Sequence, residues 1–77
     1  MNKRDEKMDK YIVDAFIKAM DLKDYATAER MNNIKIKLDF MPKRMSRKYY
    51  LQFLDVMKSC DYMYYERKAL EEILNEN

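Results

Sequence analysis

The sequence predicts an all-α protein with a three-helix arrangement: an antiparallel helical hairpin followed by a long C-terminal helix. Three observations carry this. Apolar residues recur at helical spacing in three separate stretches, the links between them are short and polar, and the 77 residues contain no Gly and a single Pro. Hairpin turns between strands prefer Gly, so its absence counts against a β fold. The expected spans are about 5–21, 24–41 and 46–75, within a single helical domain 1–77 whose first four residues are expected to be disordered.

The first helix rests on Met8, Tyr11, Ile12, Ala15, Phe16, Ala19 and Met20, an i, i+3, i+4, i+7 recurrence. Val13 and Ile17 widen the apolar arc to roughly 240° at 100° per residue. Lys10, Asp14, Lys18 and Asp21 are left as a narrow polar strip. One neighbouring helix cannot cover such an arc, so this helix either lies in the middle of a bundle or keeps a second face for a partner.

Asp24 is a good N-cap for a second helix, and the polar residues around it suit a short helix–helix turn. Met31, Ile34, Leu38 and Met41 continue at heptad spacing until Pro42, which lacks the amide donor a helix needs. The alternation Ile34-Lys35-Ile36-Lys37-Leu38 imitates a strand, but no second convincing strand is present to pair with it. Ser46 is the expected N-cap of the third helix, whose stripe is Tyr50, Phe53, Leu54, Met57, Cys60 and Tyr64. From Tyr62 onward the apolar positions are Met63, Ala69, Leu70, Ile73 and Leu74, out of phase with the earlier set. Either the helix breaks near Ser59 to Asp61, or one long helix packs its two halves against different surfaces. With no Gly or Pro at the phase change, the long helix is the preferred reading.

Chemistry is constrained by what is missing. The chain has no His and one Cys, so neither a disulfide nor the usual nitrogen and sulfur ligand set of structural zinc can be assembled within it. Without Gly there is no phosphate-cradling loop. Asp14, Asp21, Asp24 and Asp55 supply acids, but no pair is marked by its spacing, and Cys60 sits on an apolar stripe as a core thiol. No enzyme activity, metal or cofactor is therefore expected. The charged amino-terminal segment contains neither a signal-peptide pattern nor a membrane span, and a lone thiol suits the cytoplasm. The abundance of Lys, Asn, Ile, Tyr and Met, residues of A/T-rich codons, points to an A/T-rich bacterial or phage genome.

What remains is binding. Lys35, Lys37, Lys43, Arg44, Arg47 and Lys48 face only Asp39 between residues 34 and 48, whereas residues 61–77 hold five acids against Arg67 and Lys68, so the net charge of +2 conceals a dipole. Tyr62, Met63, Tyr64 and Tyr65 project around a whole helix circumference and cannot all be covered by a three-helix monomer. These four residues, with the basic set Lys43, Arg44, Arg47 and Lys48, form the expected protein-binding surface. Ala69, Leu70, Ile73 and Leu74 are the expected dimerisation stripe of a homo-oligomer, most simply a homodimer. The function expected is a small adaptor or inhibitor docking on a larger bacterial protein, of phage or mobile-element origin. The alternative is a DNA-binding regulator. Residues 25–41 resemble a helix-turn-helix unit, with Ala28 at the small position, Asn32 in the turn and Ile34 to Met41 as recognition helix, and the basic segment supplies phosphate contacts.

Residues 19–38 also resemble the UVR-type helical hairpin. Ala19, Asp24, Tyr25, Ala28, Met31 and Leu38 fall where that hairpin has Ala, Asp, an aromatic, Ala, Leu and Leu, while Glu29, Asn32 and Lys35 depart from it. The resemblance implies a partner-docking hairpin without enzymatic activity.

Overall fold

The computed structural model describes residues 3–76, with side chains from Asp5 onward. The described chain is all-helical, with no strands, but it holds four helices rather than three. They are α1 (Lys3–Asp21), α2 (Tyr25–Asp39), α3 (Ser46–Lys58) and α4 (Tyr64–Asn75), with 3-10 turns at Lys43–Met45 and Asp61–Met63 leading into α3 and α4. The disorder expected over residues 1–4 falls partly outside the described residues, while the backbone of Lys3 and Arg4 belongs to α1.

The C-terminal correction has a clear physical cause. A straight helix from 46 to 75 would turn either Phe53 and Met57 or Leu70 and Leu74 away from the core, because the two stripes are out of phase. The chain instead breaks at Ser59 and Cys60. The Ser59 hydroxyl donates to the Val56 carbonyl at 2.6 Å, and Cys60 takes an extended conformation (φ −125, ψ 111). Both stripes then reach one core, in which Phe53, Met31, Met57, Met63 and Leu70 are the largest fully buried side chains. No Gly or Pro is needed, since burial of the second stripe supplies the driving force.

Each helix runs antiparallel to the next, and α1 packs on both α2 and α4 while α3 closes the opposite side of the ring. One end gathers the turn after α1 and the break before α4. The other gathers the start of α1, the 3-10 turn before α3 and the end of α4. At the first end, Lys23 adopts a left-handed conformation (φ 61), with Lys23 N–H bonded to Met20 O and Asp24 N–H to Ala19 O. This is a Schellman C-cap built without Gly. It delivers Asp24 as the N-cap of α2, accepting from Thr27 N–H as the sequence predicts. Asp24 also accepts the Tyr62 hydroxyl at 2.5 Å. Beside it Lys18 donates to the Tyr62 carbonyl (3.2 Å) and to the buried Glu66 (2.7 Å), and Thr27 Oγ1 lies 3.6 Å from Cys60 Sγ.

Ser46 does not cap α3. It is the first residue of the helix, and its hydroxyl donates to the Lys43 carbonyl within the 3-10 turn. Met20, which the stripe spacing assigns to the core with Met8, Met31 and Met57, is partly exposed on the outside of α1, whereas the other three are buried.

Replacing Lys23 by Gly removes the left-handed penalty of an L-residue and is expected to stabilise the fold by about 1 kcal/mol. The thermal midpoint followed by circular dichroism then rises about 4–8 °C.

Stability also depends on the phenols. Burial first, then the bond to Asp24, raises the Tyr62 phenol well above its ordinary 10.0. Burial and the 2.7 Å bond to Asp9 do the same for Tyr50. A proton held more tightly in the folded state favours folding until the unfolded phenol ionises, so this contribution is full below about pH 10 and lost as pH rises further. Asp24 has the opposite sign. Side-chain hydrogen bonds from Tyr62 and Thr27 hold its carboxyl below 3.8, so its contribution is present above that pH and lost as pH falls. Urea midpoints across pH should fall at both extremes, and Tyr62→Phe should weaken both dependences.

Candidate functional site

The expected protein-binding residues are split between the two ends of the molecule. Lys43 and Arg44 lie in the 3-10 turn before α3, and Arg47 and Lys48 in the first turn of that helix. Arg47 donates to the Leu74 carbonyl at 2.8 Å, placing a cation at the C-terminus of α4, where the helix dipole favours it. Lys48 lies 5.9 Å from the Tyr49 ring centroid. Lys43, Arg44 and Arg47 line an open cleft of about 350 Å³ whose wall includes Asp5, and an adjoining cleft adds Asp9 and Asp39. The basic segment is thus partly offset in space, because Asp5 and Asp9 of α1 and Asp39 of α2 line the same clefts.

The tyrosine cluster sits at the opposite end of α4 and divides by function. Met63 is fully buried and Tyr62 is half-buried with its hydroxyl on Asp24, so both serve the fold. Tyr64 and Tyr65 remain exposed, their rings edge-to-face at 5.7 Å, with Arg67 and Lys68 over the Tyr64 ring. The dimerisation stripe is corrected more fully. Leu70, Ile73 and Leu74 are buried in the chain's own core and Ala69 is half-buried, so they are not presented to a second copy. The break at Cys60 turns this stripe inward.

The segment resembling a helix-turn-helix unit contains no turn at Asn32. α2 runs without interruption from Tyr25 to Asp39, so Ile34 to Met41 is not a separate recognition helix. Of the four carboxylates considered as acids, Asp24 is engaged as a cap, Asp21 and Asp55 are exposed and Asp14 is half-buried. Cys60 is buried beside Thr27. Among the described residues no group of three or more His, Cys, Asp or Glu side chains is arranged to hold a metal ion, and no helix is long and apolar enough to cross a membrane.

The surface that sequence reasoning did not locate is the outer flank of the α1–α2 hairpin. Val13, Ile17, Met20 and Tyr25 are 48, 50, 43 and 58% exposed, and Phe16 is partly buried between them and the core. A groove of about 190 Å³ runs between the helices, lined by Ile12, Val13, Phe16, Met31, Asn32 and Lys35. Toward the turn it opens onto a shallower depression formed by Phe16, Met20, Tyr25, Ala28, Glu29 and Asn32. The apolar seam between the helices is left open, and only Asn32, Lys35 and Glu29 bring polarity to its edge. The signal was present in the over-wide apolar arc of α1. Its missing part was which flank the bundle covers: Ile12, Ala15 and Ala19 face inward, leaving Val13 and Ile17 outside.

The two flanks should respond differently to substitution. Ile12→Ala is expected to cost about 2–4 kcal/mol through loss of buried contacts, whereas Val13→Ser should stay within about 0.5 kcal/mol of the parent in urea unfolding.

In comparison with known proteins, no family model, no curated protein and no solved structure matches the chain.

Proposed function

We propose that the chain is a small non-catalytic adaptor or inhibitor that docks the outer flank of its α1–α2 hairpin onto a helical surface of a larger bacterial protein. The observation that carries this reading is the apolar seam between α1 and α2, floored by Phe16 and Met31 and bordered by partly exposed Val13, Met20 and Tyr25. A seam between two antiparallel helices accepts the apolar face of a third helix, whose residues at i, i+3 and i+7 enter the groove. Tyr25 and Met20 suit such an interface, being large and adaptable. Lys35 and Glu29 at the edge offer one cation and one anion to set the partner's orientation.

A DNA-binding role is less well supported by the same geometry. The basic segment shares its clefts with Asp5, Asp9 and Asp39, and the candidate recognition helix is part of a continuous α2. Strong duplex binding needs an uncompensated row of cations.

A photo-crosslinking residue placed at Ile17 in host cells should yield a discrete adduct with a host protein, distinct in mass from the chain crosslinked to itself, and the same residue at exposed Lys58 should not. Asp substituted at Met20 should remove the adduct while leaving the helical circular dichroism unchanged. Adducts at Arg44 with nucleic acid, and none at Ile17, would replace this reading with the DNA-binding one.

A further inference from the structure

We infer that, in the resting protein, a second copy of this chain covers the α1 flank, with the two α1 helices packed antiparallel about a two-fold axis near Ile17. This rests on the reading of that flank as a docking surface and adds how it is kept from water before a partner arrives.

The first argument is the symmetry of the stripe. Val13, Phe16, Ile17 and Met20 are evenly disposed about the midpoint between residues 16 and 17. An antiparallel copy therefore places Val13 opposite Met20 of the second copy along the centre of the seam, Ile17 beside its own counterpart on one edge and Phe16 beside its counterpart on the other. Every apolar side chain meets another, as an isologous contact requires.

Charge is the second argument, and it selects the antiparallel orientation. Lys10 and Asp21 are both exposed, and neither forms an ion pair with another described residue. Eleven residues apart, they lie within about 20° of each other around the helix, on one edge of the stripe. In the antiparallel register Lys10 falls about 3 Å along the axis from Asp21 of the second copy, within reach of a lysine side chain. The two-fold axis makes this pair twice. A parallel register would carry this edge to opposite sides of the seam in the two copies, so Lys10 would meet no Asp21 there and the pair would be lost.

Area sets the strength. A stable standard interface takes about 800 Å² from each partner, roughly the entire broad face of a molecule measuring 33 × 24 × 18 Å. The flank of α1 with Tyr25 covers only part of that face, so the pairing is reversible and yields to a heterologous helix that fills the groove more completely.

Sedimentation equilibrium on the purified full chain across micromolar to millimolar concentrations tests this. The expected result is a monomer–dimer equilibrium that Ile17→Asp abolishes and Lys10→Glu weakens about tenfold, with Lys10→Glu combined with Asp21→Lys restoring the parent affinity to within about threefold. Unchanged helical circular dichroism for each exposed-site variant keeps folding out of the readout. Monomer mass throughout the range would overturn the inference, as would a dimer that survives Ile17→Asp or ignores the charge swap. The two readings fail separately: a monomeric chain that still crosslinks a host protein through Ile17 loses only the self-pairing, and a charge-swappable dimer with no host adduct loses only the adaptor reading.

Discussion

The carboxylate of Asp24 is the joint on which the fold turns. A chain without Gly has to end α1 by placing an ordinary residue, Lys23, in the left-handed region, and this cost of about 1 kcal/mol is accepted only where the next residue compensates it. Asp24 does so by closing the Schellman motif through its own amide, capping α2 through one oxygen and taking the Tyr62 hydroxyl on the other. The bond to Tyr62 reaches across 38 residues and ties the first hairpin to the second. With Tyr62 held there, Met63 is directed into the core, and the Tyr62 carbonyl and Glu66 come within reach of Lys18. Glu66 is buried, and its ion pair with Lys18 satisfies a carboxylate that would otherwise be costly to enclose.

This polar end allows a small core to be sufficient. Chains of this length obtain only about 3–5 kcal/mol from one hydrophobic core, and here no disulfide adds to it. The break at Ser59 and Cys60 recovers apolar area that a continuous helix would leave outside, so that Met57 and Leu70 are buried in the same cluster. At the other end Tyr50 performs a similar service, filling the core with its ring while its hydroxyl reaches Asp9 on α1. Burying phenols whose oxygens meet carboxylates near the surface adds apolar area to the core without orphaning a donor.

The proposed function is carried by the outside of the hairpin. Both stripes of the C-terminal half are used in building the core, and the basic segment is folded against acids and the end of α4. Val13, Ile17 and Met20 remain together on α1, where the bundle covers one flank of an arc too wide for it, while Ile36 and Phe40 are exposed from the end of α2. Tyr64 and Tyr65 form a separate, smaller exposed pair at the start of α4. On the proposed reading, binding falls to the hairpin, while the residues after Pro42 contribute most of the remaining core.

Local chemistry determined a good part of this protein. The all-helical class, the inward positions Met8, Ile12, Ala15 and Ala19, the capping role of Asp24 and the burial of Cys60 all follow from spacing and from the hydrogen-bonding capacity of single residues. The two candidate outcomes at Ser59 to Asp61 were also visible as a phase change. Tertiary structure alone decided between them, since no local breaker distinguishes a bent chain from a straight helix with two partners. It likewise decided that Leu70, Ile73 and Leu74 face the core while Val13 and Ile17 face water, and that Lys43 and Arg44 lie among Asp5, Asp9 and Asp39. The reason is one of range. Periodicity states that a helix has an apolar face, within a turn or two of each residue. What covers that face depends on segments forty or sixty residues away, whose placement is set by the packing of the whole bundle.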